Sequence, residues 1–271
     1  MSTTFLIILY LFIFYAKIFI ILQKGGFLLK TINYNALTFI RDRRIYPRCS
    51  FGKISKCRFD GKNYALKEFR VPKYLNGKKR KLDILSEIEN NHLLTPKYWV
   101  KKDNETNMYL CDYCEGENIS ILEEYSKPQK ITSLKQAKEA ILSMHNEKII
   151  HSDITIYNIM IENGIAKILD FDNCTYAGFT TKAMDSNDYV QEFIKTYGIK
   201  PELDIHLFNI LTLQIMNDWS FFSIKKHIFS KNFGVFSDPE AIKICNRLFS
   251  DSNIPNKDFL IDTLDETSFT F

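Results

Sequence analysis

Residues 149–174 read IIHSDITIYNIMIENGIAKILDFDNC. Ile149-Ile150 is a short apolar run, and the polar loop after it holds His151, Asp153 and Asn158. Ile159–Ile161 and Ile165–Leu169 have strand-like lengths and composition. Asn163-Gly164 lies between them, and both residues tolerate the positive φ of a two-residue hairpin. Asp170 follows directly on the second run. The stretch predicts a strand, a loop and a hairpin that deliver polar side chains in the pattern H-x-D-x-x-x-x-N and then D-F-x.

That pattern suits phosphoryl transfer. A carboxylate must accept the proton of the attacking hydroxyl, while an amide and a second carboxylate hold Mg²⁺ against the phosphates of ATP. The stretch closely resembles the catalytic and metal-binding loops of the eukaryotic protein kinase superfamily. The resemblance implies Asp153 as catalytic base, Asn158 and Asp170 as Mg²⁺ ligands, and His151 as a structural brace. Three residues depart from the family pattern. Ser152 stands where arginine is usual, which implies no cation waiting for a phosphorylated activation loop. Thr155 replaces a lysine that contacts the γ-phosphate in many serine/threonine kinases. Asp172 replaces the glycine of D-F-G, adding a carboxylate near the metal that is either an extra ligand or a restraint on the loop.

Toward the N-terminus, Ile45–Phe69 reads as a strand, a turn and two further strands, with Asp60-Gly61 as a hairpin signal. Ser50-Phe51-Gly52-Lys53-Ile54 resembles the end of the kinase glycine-rich loop, which makes Gly52 and Ile54 nucleotide-binding candidates. Pro47 and Cys49 occupy the places of the first two glycines, so close backbone approach to phosphate is reduced there. Tyr64-Ala65-Leu66-Lys67 resembles the strand motif whose lysine, here Lys67, holds the α/β-phosphates. Leu82–Leu94 has helical periodicity, and Glu87 within it matches the glutamate expected to pair with Lys67. Met108–Ile119 resembles the strand and hinge between kinase lobes. Asp112 and Cys114 are then the residues expected to offer backbone groups to adenine, with Cys111 behind the base.

Toward the C-terminus, Leu134–Asn146 reads as an amphipathic helix entering the catalytic stretch. Asp204-Ile205-His206-Leu207-Phe208 opens an apolar helix that resembles the buried one whose first aspartate clamps the catalytic loop. Glu192 falls where the A-P-E glutamate is expected, without its alanine and proline.

The composition is that of a globular protein, 45% hydrophobic and 25% charged. A net charge of +4 gives no basis for a nucleic-acid partner. Cys111 and Cys114 form one CxxC, but no second Cys or Cys/His pair accompanies it, which argues against zinc. Lys78–Lys81 is a short basic run, most simply solvated surface. Phe5–Leu22 is almost continuously apolar, broken by Lys17, and is close to the minimum length for a membrane-spanning helix. Basic residues follow it and none precedes it, so the expected orientation leaves the rest of the chain facing the cytosol. The alternatives are a buried helix or a non-native upstream extension of the reading frame, either of which leaves a soluble cytoplasmic protein.

The fold expected from the resemblance is α+β and bilobal: a small antiparallel β lobe with one helix, and a mainly helical second lobe. The expected divisions are a hydrophobic N-terminal segment at 1–30, the N-lobe and hinge at 31–115, and the C-lobe at 116–271. The expected function is transfer of the ATP γ-phosphate to serine or threonine of a protein substrate. A weakly catalytic scaffold and a small-molecule phosphotransferase of the aminoglycoside or choline kinase type are the alternatives, the latter because its metal loop often reads D-F-D.

Overall fold

Two-residue turns and period-two alternation build the first half of the molecule. The computed structural model describes residues 29–41, 52–70, 78–119, 125–177, 194–195, 197–217, 239–248 and 257–264. Within them lie β1 (Thr31–Asn33), β2 (Thr38–Ile40), β3 (Gly52–Phe59), β4 (Lys62–Phe69), β5 (Pro96–Lys102) and β6 (Glu105–Asp112). They form a six-stranded sheet in the order β1-β5-β6-β4-β3-β2. All neighbours are antiparallel except β1, which adds to β5 in parallel.

Asp60-Gly61 closes the β3–β4 hairpin with φ of 48° and 75°, the left-handed pair that the sequence signals there. Asp103-Asn104 makes the equivalent turn between β5 and β6, with φ of 48° and 66°. Gly52 begins β3 where a Cβ would lie 2.0 Å from the Glu68 carbonyl oxygen, so only glycine allows the two strands to meet at that end. The strand expected to open at Ile45 falls outside the described residues; β2 is the strand that pairs with β3 from that side.

Side chains alternate across the sheet. Tyr64 and Leu66 join Ile32, Cys57, Val100, Met108 and Leu110 in an apolar cluster on one face. Phe69, Trp99 and Tyr109 turn to the other face and enter the main core. Each large aliphatic side chain buried this way contributes about 1.5–3 kcal/mol.

One helix, α1 (Lys79–Ser86), packs on the sheet through Leu82 and Leu85. The sequence periodicity predicts helix as far as Leu94, but the helix stops at Ser86. Asn90 Oδ1 accepts a 2.8 Å hydrogen bond from His92 N, a local turn that competes with helical pairing. The chain beyond it is drawn off sideways, Leu94 N donating to Ile168 O and Ile168 N to His92 O.

The second half is helical around a small β platform. α2 (Lys127–Asn146) starts earlier than its amphipathic pattern suggests, at a capping box in which Ser126 N donates to Gln129 Oε1 at 3.0 Å. β7 (Glu117–Asn118), β9 (Ile159–Glu162) and β10 (Ile165–Ile168) form a three-stranded sheet in the order β10-β9-β7. β8 (Ile149–Ile150) pairs with β11 (Thr175–Tyr176). α3 (Pro201–Asn217) is buried along nearly its whole length, and α4 (Pro239–Leu248) follows. Asn209 of α3 fastens the C-terminal segment, donating to Asp258 O and accepting from Leu260 N, both at 2.8 Å.

Among the described residues no helix is long and apolar enough to cross a membrane. Phe5–Leu22 lies outside them.

Candidate active site

The loop between β8 and β9 is short, strained and held from below. Ser152 takes φ 66°, a conformation that L-residues adopt only at a cost. Asp204, fully buried at the start of α3, offsets that cost. Its Oδ2 accepts from His151 N at 2.8 Å and lies 2.9 Å from His145 Nε2. Its Oδ1 accepts from Ser152 N at 2.7 Å. The expected clamp on the catalytic loop is therefore present, and His145 at the end of α2 is tied to the same carboxylate. Ser152 Oγ is buried without a hydrogen-bond partner, the mark of a small residue in a place set by its backbone.

His151 is a brace. Its Nε2 lies 3.1 Å from Leu169 O, and its Nδ1 accepts from Asp153 N at 3.3 Å, which fixes the proton on Nε2. Its ring packs on Phe171 at 5.4 Å between centroids. One side chain thereby links the loop to the strand end that carries Asp170.

Asp153 is aimed by amides. Asn158 Nδ2 donates to Asp153 O at 2.9 Å and to Asp153 Oδ2 at 3.0 Å. Asn173 Nδ2 reaches the same Oδ2 at 3.3 Å. Both amides supply donors, so they orient the carboxylate, whose other oxygen is left to accept from an incoming hydroxyl. Asn173 was not legible in the sequence. It follows D-F-D with no spacing signal, and only the turn Phe171–Asn173 brings it back to Asp153.

Lys67 projects from β4 into the cleft, 5% exposed, opposite in direction to Tyr64 and Leu66. Its Nζ lies 2.5 Å from Asp170 Oδ1 and 2.8 Å from Asp172 Oδ2. Burial presses the ammonium toward losing its proton, but Asp172 and Asp170 together outweigh it and hold the lysine pKa above its usual value. Asp170 adopts φ 64° and ψ 65°, in the left-handed region. Burial raises its pKa, Lys67 lowers it more, and the net shift is downward. Asp172 moves the other way, raised by burial and by Asp170 beside it.

Glu87 does not take the place that the sequence predicts for it. It caps the C-terminus of α1, exposed to solvent, because the helix ends one residue earlier at Ser86. The buried acid of α1 is Asp83, whose Oδ1 accepts from Trp99 Nε1 at 2.8 Å and from Leu29 N at 3.4 Å. Lys67 is held instead by the two aspartates flanking Phe171.

The remaining candidates line the route from the sheet to the platform. Ile54 stands opposite Lys67 in the β3–β4 register. The close approach that Gly52 permits is to the backbone of β4. Asp112 ends β6 opposite Tyr64, with its carboxylate 2.8 Å from Lys62 Nζ. Cys114 is buried in the connection to β7. Cys111 sits one strand position before Asp112, and burial raises its thiol pKa to about 12.

The donor set suits a hard dication. Asp170 offers a carboxylate, and Asn158 has committed its NH₂ to Asp153, which leaves its amide oxygen as the donor for a cation. Mg²⁺ is commonly held by one or two protein oxygens and completes its shell with waters and phosphate oxygens. Among the described residues no group of three or more His, Cys, Asp and Glu forms a dedicated cage.

A family model described as protein kinase domain matches residues 48–265. Cell division control protein 7 of Schizosaccharomyces pombe is 29% identical over 124 residues, 41% of this chain and 11% of that protein. The chain thus corresponds to a small part of that relative's length. The family match runs from before β3 to the last described turn, across β3 to β6 of the sheet, Lys67, the clamped loop and the aspartates. By that match, the chain belongs to the protein kinase domain family.

Proposed function

We propose that this chain transfers the γ-phosphate of ATP, with Mg²⁺, to serine or threonine hydroxyls of a protein substrate. The observation that carries it is Asp153, aligned by Asn158 and Asn173 on a loop that His151 ties to Leu169, the residue before the Asp170 that pairs with Lys67. In this scheme Asp153 receives the proton of the attacking hydroxyl. Asn158 and Asp170 would hold the cation, which when bound would supply positive charge to the phosphates, and Lys67 would orient them. Ile54, Asp112 and Cys114 form the adenine side of the site, the last two through their backbones. Ser152 leaves the loop without an arginine, so activity does not depend on a phosphorylated activation segment.

The test is transfer of label from γ-labelled ATP by the full chain to mixed proteins and to a panel of small hydroxyl compounds, with Asp153→Asn alongside. Label on serine or threonine that disappears in the variant is the expected result. Label on small hydroxyl compounds alone would move the protein to the small-molecule phosphotransferases, and ATP binding without transfer would make it a scaffold.

We also propose that residues 5–22 tether the kinase domain to a membrane with the domain on the cytosolic side. Its support is the apolar run with basic residues on its C-terminal side. Extraction of the full chain by carbonate or high salt without detergent would overturn it.

A further inference from the structure

We propose that Asp172, and no residue of α1, is the standing carboxylate partner of Lys67, so that the phosphate-orienting lysine is positioned by the metal loop itself. This role rests on the phosphotransfer function proposed above.

Four observations meet at this residue. Asp172 Oδ2 lies 2.8 Å from Lys67 Nζ, and Asp172 is 1% exposed. Its other oxygen, Oδ1, accepts a 3.4 Å hydrogen bond from the hydroxyl of Tyr109, which β6 delivers from the same face of the sheet. Asp170 also holds Lys67, but it is the better-exposed of the two acids, with 26% of its side chain accessible against 1% for Asp172. Finally, neither acid of α1 is placed to hold the lysine, since Glu87 is an exposed cap and Asp83 is engaged by Trp99 and Leu29.

These contacts divide the work of the two aspartates. A cation brought in with the phosphates would compete with Lys67 for Asp170, since both are positive and seek the same oxygens. Asp172 faces inward, between Lys67 and Tyr109, and would keep the ammonium in place if Asp170 served the cation. A glycine at this position would leave Lys67 with Asp170 alone, and the lysine would then occupy the oxygens that the cation needs. The carboxylate added to D-F-D is therefore a positioning group for Lys67 rather than an extra metal ligand. Rotation of α1 would not make or break this pair, so the lysine would stay positioned wherever that helix sits.

The experiment is equilibrium binding of ATP to the full chain by calorimetry, once in EDTA and once in excess Mg²⁺, for the wild type, Asp172→Asn, Asp172→Glu and Glu87→Gln. The expected result is that Asp172→Asn weakens binding about tenfold or more already in EDTA. Asp172→Glu should restore part of it, and Glu87→Gln should bind as the wild type does. A loss for Asp172→Asn that appears only with Mg²⁺ would make Asp172 a metal ligand and overturn the proposal. Loss of affinity in Glu87→Gln would return the lysine's partner to the helix and overturn it as well; this exposed substitution keeps the test decisive even if the Asp172 variants fail to fold. A wild type that binds no ATP would overturn the kinase function itself. A wild type that binds ATP with unchanged affinity in Asp172→Asn would overturn only the role of Asp172.

Discussion

Asp204 Oδ1 accepts a 2.7 Å hydrogen bond from the backbone N–H of Ser152, a residue held at φ 66°. The strained residue and its restraint come from segments 52 positions apart. Removing the carboxylate leaves the N–H groups of His151 and Ser152 buried without an acceptor. Asp204→Ala is expected to cost about 3–5 kcal/mol. Denaturant unfolding measures it, and phosphate transfer should fall with the loosened loop even under conditions where the variant stays folded.

Asp153→Asn removes the proposed proton acceptor but keeps the shape and burial of the loop. Transfer is expected to drop about 10²- to 10⁴-fold, with ATP affinity close to that of the wild type. Asn173→Ala removes one amide from Asp153 Oδ2. A loss of about 5- to 10-fold in kcat with little change in the KM for ATP is expected. A change confined to KM would place Asn173 in nucleotide binding instead.

Burial in α3 depresses the His206 pKa from 6.5 to about 4. The unfolded chain therefore takes up a proton near pH 6.5, while the folded chain resists it until about pH 4. The neutral ring's contribution is fully present above pH 6.5 and is lost as pH falls through about 4. Stability should decline across that window by up to about 3 kcal/mol. Unfolding curves of the wild type and His206→Gln between pH 4 and 7 measure it, and the variant's curve should be flatter. Equal slopes would assign the loss to other groups.

Gly116 lets the segment entering β7 lie against the backbone of β9. A Cβ there would fall 2.1 Å from the Ile161 carbonyl oxygen, with backbone on every side of the clash. Gly116→Ala is expected to destabilise by about 1–3 kcal/mol, read from the shift in denaturant midpoint. Gly61→Ala is a contrasting control. It meets no atom, so only its φ of 75° opposes the substitution.

Much of the site could be read from residue order because it is local. Asp153 and Asn158 lead into, and Asp170 follows, one hairpin whose turn, Asn163-Gly164, is written in its own two residues. Lys67 could be placed by alternation, since strand period alone sends it away from Tyr64 and Leu66. Asp204 could be read as a buried acid opening an apolar helix. The less legible parts depend on how distant segments meet. The helical pattern through Leu94 gives way because Leu94 and His92 find backbone partners at Ile168, a contact that no local propensity encodes. Glu87 loses its expected role for the same reason.

Residue order supplies the chemical groups: a loop carboxylate, an amide, a lysine and a pair of aspartates, each carried near strand ends and turns that short-range sterics dictate. Which of them pair follows from the way the chain packs in three dimensions. Lys67 is 103 positions from Asp170, and Asn173 comes back to Asp153 through a turn. Pairings of that kind are fixed by which buried charges and amides must satisfy one another once the sheet and the helices close around them.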